Sequence, residues 1–246
     1  MQNKISIVYF GSSQFSKYVL GELERAGLSP VLNITSAKED LPMDKLRELN
    51  ADVFVVASFG KILPAELIYM PKHKTLNVHP SLLPKLQGAS PIQSAILAEE
   101  ETGVTIIRMD EKVDHGPILA QEKVSIEPWP DHYAVVEEKL GKVGGRLLAE
   151  ILPKPSPWTE SPQDDSSATF CKRLEKEDGL LNLNDSPEVN LRKVYAYSTW
   201  PGAYFLHSRK DGKQIRITVK DAKLENGELK IISVVPEGKK EMNWQD

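Results

Sequence analysis

The chain has 246 residues, of which 40% are hydrophobic and 27% charged, and its formal net charge is −4. This composition is typical of a soluble globular protein, and the length favours one domain with a smaller appendage. The charge excludes an overall bias towards nucleic acid, so any such contact must depend on a local basic surface. Cys171 is the single cysteine, which excludes an internal disulfide. The sequence has no apolar run of membrane-spanning length and no signal-peptide pattern, so we expect a cytoplasmic protein without a membrane partner.

Short apolar runs alternate with amphipathic stretches through the first half of the chain. The pattern predicts buried strands at residues 5–10, 30–34 and 52–57, and a further strand that ends at His79. The intervening stretches predict helices, so the expected fold class is α/β, an open parallel sheet with helices on both faces. The turn after Gly11 lacks the further glycines of a dinucleotide fingerprint, and no NAD is expected.

The composition changes after a long helical pattern at residues 131–152. Residues 153–167 mix prolines with serines and acidic residues, which indicates an extended linker. Alternating runs beyond it predict a small, mainly antiparallel β domain. We therefore expect a larger α/β domain at residues 1–152, then this linker, and a C-terminal domain at 168–246.

Two neighbouring positions combine the residue types that acyl transfer requires. Asn77 and His79 are two residues apart at the end of a predicted strand, so their side chains leave the same face. An amide can stabilise a developing oxyanion, and an imidazole can accept the proton of an attacking amine. A strand-capping role for both residues is the structural alternative.

A second segment supplies a carboxylate. Asp114 follows the apolar run at residues 104–107 and is suited to orienting His79 and stabilising its protonated form. We expect the ends of both strands to be carboxyl ends on one edge of a parallel sheet, where such folds bind ligands. A zinc site formed by His79, Asp114 and His115 would match no metal motif, so no metal is expected.

The C-terminal region contains a local excess of basic residues. Between Arg209 and Lys240 there are 9 lysines or arginines against 5 aspartates or glutamates, a local net charge of +4. Charged runs are usually solvated surface, but this sign is also what phosphate contacts require. The candidate nucleic-acid-binding residues are Arg209, Lys210, Lys213, Arg216 and Lys220.

Two motifs resemble those of a known superfamily. The segments NVHPSLLP at residues 77–84 and VDHGP at 113–117 resemble, in order and separation, those of the folate-dependent formyltransferases. Within that superfamily the chain resembles the methionyl-tRNA formyltransferases over nearly its whole length. This closer resemblance is found in residues 51–64, 87–93, 101–106, 168–170, 176–179 and 200–203.

The resemblance implies that Asn77, His79 and Asp114 form the catalytic set. The implied reaction transfers a formyl group from 10-formyltetrahydrofolate, as co-substrate, to the α-amino group of methionyl initiator tRNA, without a metal. The implied fold is a Rossmann-like domain followed by a small β-barrel that resembles an OB-fold, and a monomer is expected. The implied folate site consists of Phe59, Gly60, Ile62, Leu63, Ser81, Leu82, Leu83 and Pro84.

Two departures from the family concern recognition of the acceptor. The family usually has a long basic loop after the second strand, which enters the tRNA acceptor stem, whereas residues 35–50 here are short and mixed in charge. The C-terminal domain also looks abbreviated. A sugar-nucleotide N-formyltransferase with the same donor is therefore the main competing hypothesis. Further hypotheses are glycinamide ribonucleotide transformylase, a hydrolase that releases formate, and a non-catalytic folate- or RNA-binding protein.

Overall fold

The computed structural model describes residues 5–153, 158–209 and 212–244. Contacts between residues divide the chain into two compact units. The first unit consists of the described parts of Met1–Pro91, Glu101–Ser125 and Glu137–Cys171, and the second of those of Ile92–Glu100, Ile126–Val136 and Lys172–Asp246. The predicted domain boundaries stay a prediction, although residues 158–167, predicted as linker, fall within the first unit.

Strands and helices alternate through the first half of the chain. The strands are β1 (Ile7–Phe10), β2 (Leu32–Ile34), β3 (Val53–Val56), β4 (Thr75–His79), β5 (Gln87–Gly88), β6 (Gly103–Arg108), β7 (Ile118–Lys123), β8 (Phe170–Cys171), β9 (Tyr204–Ser208), β10 (Gln214–Glu225), β11 (Glu228–Pro236) and β12 (Met242–Asn243). The helices are α1 (Gln14–Arg25), α2 (Met43–Leu49), α3 (Ala65–Tyr69), α4 (Pro91–Ala98), α5 (Tyr133–Ile151) and α6 (Pro187–Ala196). None of the helices in the described ranges is long and apolar enough to cross a membrane.

The first unit is built on a six-stranded sheet in the order β2-β1-β3-β4-β6-β7. β1 to β4 run parallel, and every residue of β1 and β3 is buried. Burial on both faces explains why these strands are continuous apolar runs. In the core, the ring of Phe10 packs against those of Phe54 and Phe59, with centroid distances of 5.5 and 5.6 Å, respectively. The predicted Rossmann-like α/β class is confirmed.

One feature of the predicted sheet is wrong. β6 pairs antiparallel with β4, so that Thr105 lies opposite His79 and Arg108 lies opposite Leu76. The carboxyl end of β6 therefore lies beside the amino end of β4, and the loop containing Asp114 does not follow a parallel strand. The sequence could not reveal this direction, because a run that is buried on both faces fits a parallel or an antiparallel neighbour equally well.

The second unit contains a four-stranded antiparallel sheet in the order β12-β11-β10-β9. β10 and β11 form a long hairpin because Asn226 and Gly227, with φ of 54° and 81°, make the two-residue turn that such hairpins favour. α6 contacts this hairpin, and Val194, Ile217 and Val234 are buried. The predicted antiparallel β character is confirmed. Among the described strands the pairing does not close into a barrel, so the OB-like closure stays a prediction.

Candidate active site

β4 presents Asn77 and His79 on one face of the sheet. Val78 lies between them and points the other way, where it is only 1% exposed. His79 is 4% exposed, whereas Asn77 is half-buried. The strand therefore places an amide and an imidazole side by side, and the paired backbone on both sides of β4 fixes their spacing.

Asp114 reaches both of these side chains from the loop between β6 and β7, residues 109–117, here called the Asp114 loop. Asn77 Nδ2 donates a hydrogen bond to Asp114 Oδ1 at 3.0 Å, and His79 Nδ1 lies 3.5 Å from the same oxygen. The backbone N–H of Gly88 donates to Asp114 Oδ2 at 2.9 Å. The structure thus brings together the three residues that the sequence singled out.

The second ring nitrogen of His79 determines where the ring holds its proton. Nε2 lies 2.9 Å from the carbonyl oxygen of Leu86. A carbonyl oxygen only accepts hydrogen bonds, so Nε2 must carry the hydrogen. Nδ1, which faces Asp114, is therefore the nitrogen without a hydrogen in the neutral ring.

The backbone of the Asp114 loop is tightly constrained. Asp114 has a φ of 51°, in the left-handed region that is unfavourable for residues with a Cβ atom and is tolerated best by Asn and Asp. At the base of the loop the N–H of Arg108 donates to the carbonyl oxygen of Pro117 at 3.0 Å. A Cβ atom at Gly116 would lie 1.8 Å from the Arg108 carbonyl oxygen, so only glycine fits there. These two close contacts fix the path of the loop.

Two side chains of segment 158–171 connect it to the Asp114 loop and to the end of β6, respectively. Gln163 Nε2 donates to the carbonyl oxygens of Asp114 and Gly116 at 2.7 and 2.8 Å. Glu160 makes a two-point ion pair with Arg108, both contacts being 2.7 Å. Sequence reasoning missed these contacts, because polar residues between prolines are usually solvated. Glu160 and Gln163 thus connect the predicted linker to the rest of the first unit.

A pocket of about 370 Å³ lies beside the Asp114 loop. His115 lines it and forms ion pairs from Nδ1 to Asp110 at 2.9 Å and from Nε2 to Asp165 at 3.4 Å. The hydrogen bond with Asp110 raises the pKa of His115 above its usual value. The pocket is lined by Gln87, Lys112, Val113, His115, Asp165, Ala168 and Phe170. In the ranges that the structure describes, no group of three or more His, Cys, Asp or Glu side chains is arranged to hold a metal.

Comparison with known families identifies the class of protein. A family model described as formyl transferase matches residues 4–152, which include Asn77, His79 and Asp114. The chain belongs to the formyl transferase family.

Curated relatives of this formyl transferase include proteins named methionyl-tRNA formyltransferase. The relative from Thermus thermophilus is 39% identical over 216 residues, which cover 87% of this chain and 69% of that protein. The relative from Dictyoglomus turgidum is 32% identical over an alignment that covers 97% of this chain and 94% of that protein. The likeness therefore extends beyond the catalytic unit into the C-terminal region.

Solved structures share the fold at low sequence identity. Methionyl-tRNA formyltransferase from Clostridium thermocellum superposes with a TM-score of 0.74 at 18% identity, covering 94% of this chain and 98% of that one. HypX from Aquifex aeolicus, in complex with tetrahydrofolic acid, gives 0.73 at 19% identity over 98% of this chain and 46% of that one. A sugar N-formyltransferase from a Shewanella species gives 0.65 at 20% identity over 91% and 100%. These likenesses show the fold.

The first group of predicted folate-site residues lies in the loop after β3. Phe59 and Leu63 are only 1% and 4% exposed and belong to the core, so their side chains anchor the loop. Gly60, with a φ of 77°, and Ile62, which is 86% exposed, form its outer surface. Ile62 therefore presents an apolar side chain to solvent.

The second group lies in the loop after β4. Ser81 and Leu83 are buried, and Thr105 ties them to β6: its Oγ1 donates to the Ser81 carbonyl at 2.7 Å and accepts from the Leu83 N–H at 3.1 Å. Leu82 and Pro84 are partly exposed. The alternation leaves these two residues as the surface of the loop, and a folate contact by either group stays a prediction.

The predicted nucleic-acid-binding residues belong to the second unit. Arg209 and Lys213 are exposed beside the turn between β9 and β10, and Lys220 is partly exposed on β10. Arg216 stacks on the Tyr204 ring at 3.7 Å and donates to the Pro201 carbonyl oxygen at 3.2 Å, so its guanidinium also holds the turn before β9. Lys210 lies outside the described residues. Contact between these residues and nucleic acid stays a prediction.

Proposed function

We propose that this formyl transferase moves the formyl group of 10-formyltetrahydrofolate to the α-amino group of methionyl initiator tRNA. The single observation that best supports this chemistry is the contact of Asn77 and His79 with Asp114 in one half-buried site. The names and coverage of the curated relatives support the choice of acceptor. A tetrahydrofolate complex of a protein with the same fold supports the choice of donor.

Asn77 is proposed to stabilise the negative charge that develops on the formyl oxygen. One N–H of its amide nitrogen is used by Asp114, which leaves the second N–H for the reacting oxygen. Because Asp114 and the strand both hold Asn77, this donor is oriented before the reaction begins. Preorganised donors of this kind account for much of the acceleration of acyl transfer.

His79 and Asp114 are proposed to manage the proton of the attacking amine. The amine nitrogen bonds to the formyl carbon, the bond from that carbon to the folate nitrogen breaks, and one proton must leave the amine while one reaches the departing nitrogen. Nδ1 of His79 is the ring position that can hold this proton, since Nε2 donates to Leu86. Asp114 stabilises the positive charge that His79 then carries.

The donor is proposed to lie across the two loops that follow β3 and β4. Their exposed positions, Gly60, Ile62, Leu82 and Pro84, offer apolar surface and accessible backbone to a flat ring system. The buried residues of the same loops act by holding the loops in place.

A sugar-nucleotide N-formyltransferase is the second candidate. The observation that favours it is the short connection from β2, ending at Ile34, to α2, beginning at Met43, where the family usually has a long basic loop. The solved sugar N-formyltransferase shows that the fold is compatible with this activity.

Tracing a labelled formyl group tests the proposed reaction. The purified protein is incubated with 10-formyltetrahydrofolate, labelled in its formyl carbon, and charged initiator tRNA. The label is expected on the methionyl amine, and tetrahydrofolate should form in equal amount. Label recovered as formate would indicate a hydrolase, and no turnover of the donor would indicate a binding protein.

A further inference from the structure

We propose that Gln163 is a positioning residue for Asp114. It lies 49 residues further along the chain, in the segment predicted as a linker, and contacts no atom that we place in the reaction. Its two hydrogen bonds to the Asp114 loop hold the backbone from which the carboxylate projects. The inference rests on the proposed function, because it assigns Gln163 a part in formyl transfer.

The contacts of Gln163 determine how its amide is oriented. One end of the amide lies 2.7 and 2.8 Å from the carbonyl oxygens of Asp114 and Gly116. Since carbonyl oxygens only accept, this end is the NH₂ group. The other end is therefore the oxygen, and it accepts from Gln87 Nε2 at 3.1 Å. Every part of the amide has a partner, so the side chain is fixed.

Gln87 and Gly88 complete a closed set of contacts around Asp114. Gln87, which is 4% exposed, holds Gln163, and the next residue donates its N–H to Asp114 Oδ2 at 2.9 Å. β5, which these two residues form, is itself paired with Phe170 and Cys171 of β8. Asp114 is thus held by two hydrogen bonds: Gly88 donates to its carboxylate, and Gln163 donates to its backbone carbonyl.

Asp114 needs this support because its backbone is strained. A left-handed non-glycine residue persists only where its surroundings over-determine it. Without Gln163 the peptide that follows Asp114 would lose its hydrogen-bond donor and could relax. The carboxylate would then move relative to His79 Nδ1, which is already 3.5 Å away. Catalytic groups must be held to within about 0.5 Å, so a small relaxation is costly.

Gln163→Met tests the proposal by keeping the length of the side chain and removing both donors. We expect kcat to fall by about 10-fold to 100-fold, because a displacement near 1 Å costs up to about 100-fold, while KM for the donor changes less than about 2-fold. In an Asp114→Asn background the same change should cost less than about 2-fold, because Gln163 acts through Asp114. Glu160→Gln is the matched control: it weakens another tether of the same segment, to Arg108, and should leave kcat within about 2-fold.

A second readout requires no acceptor. The Gly88 N–H donates to Asp114 Oδ2, so its hydrogen exchange reports whether the carboxylate stays in place. Exchange should accelerate in Gln163→Met and remain unchanged in Glu160→Gln. Equal effects of the two variants, an undiminished loss in the Asp114→Asn background, or wild-type exchange in Gln163→Met would overturn the proposal. If no acceptor is formylated, the proposed function fails, while the exchange measurement still decides the role of Gln163.

Discussion

At the scale of single residues, Asn77 is proposed to have two roles. It donates one N–H to Asp114. Because the second N–H is proposed to donate to the formyl oxygen, removal of the amide should affect the transition state far more than folate binding. We expect Asn77→Ala to lower turnover by about 10²–10³-fold, as for loss of one oxyanion donor. Single-turnover formylation at saturating donor measures this. Asn33→Ala, an exposed asparagine on β2 of the same sheet, should retain wild-type turnover. Comparable rates for both variants would remove Asn77 from the mechanism.

His79 is expected to carry the proton. His79→Ala should lower turnover by about 10²–10⁴-fold, the usual contribution of a general base. The structure also predicts that the neutral ring has its hydrogen on Nε2, which ¹⁵N chemical shifts of the labelled imidazole can measure. A hydrogen on Nδ1 of the neutral ring would contradict the role given to Leu86, and a folded His79→Ala enzyme with near-normal turnover would contradict the role given to His79.

His115 makes a pH-dependent contact at the base of the same loop. Its hydrogen bond with Asp110 raises the pKa of His115 above the ordinary value of 6.5. The charged pair therefore stabilises the loop fully below pH 6.5, and this stabilisation is lost as the pH rises through the raised pKa. Asp110→Asn should therefore lower the pKa of His115, which an NMR titration measures. An unchanged titration curve would mean that Asp110 does not hold His115 in solution.

At the scale of structural elements, the Asp114 loop depends on the glycine at its base. We expect Gly116→Ala to destabilise the fold by about 1–3 kcal/mol, because its Cβ would overlap the Arg108 carbonyl oxygen and force the backbone to shift. Thermal unfolding measures this. Gly21→Ala is the control, since the nearest atom to its Cβ is 3.9 Å away and alanine is the better residue inside α1. Equal stability of wild type and Gly116→Ala would contradict the described loop path.

The elements also show which parts of the site the sequence could predict. The two-residue spacing of Asn77 and His79 predicted that their side chains share one face, because side chains alternate along a strand. The direction of β6 could not be predicted, since its buried apolar residues are compatible with either neighbour. Gln163 was missed for a different reason: it donates to the backbone carbonyls of Asp114 and Gly116. Because every residue has a backbone carbonyl, the residue types of the partners do not indicate such a contact.

At the scale of the whole molecule, the alternation of apolar runs was enough to predict an open α/β sheet and an antiparallel β unit. The residues that recognise the acceptor are harder to predict from the sequence, because contacts with phosphate require only positive charge. Arg209 and Lys213 are exposed and Lys220 is partly exposed, so solvent reaches all three side chains. These three residues are therefore a suitable test of nucleic acid binding.

Neutralising Arg209, Lys213 and Lys220 together should weaken tRNA binding and flatten its dependence on salt. Each phosphate contact that is lost reduces the slope of log K against log salt by about 0.9 or somewhat less. Affinity measured at several salt concentrations gives this slope. Donor binding should be unchanged, since the proposed folate loops belong to the other unit. A variant with the wild-type slope would show that these residues do not contact tRNA phosphates.

The identity of the acceptor is the central claim, and a comparison of separate acceptors tests it most directly. The purified protein receives 10-formyltetrahydrofolate together with charged initiator tRNA or, separately, a panel of amino-sugar nucleotides. The Asn77→Ala variant serves as the blank. We expect N-formylmethionyl-tRNA as the product, with no formylated sugar above the blank. Formylation of an amino sugar, with methionyl-tRNA left unmodified, would contradict the proposed function.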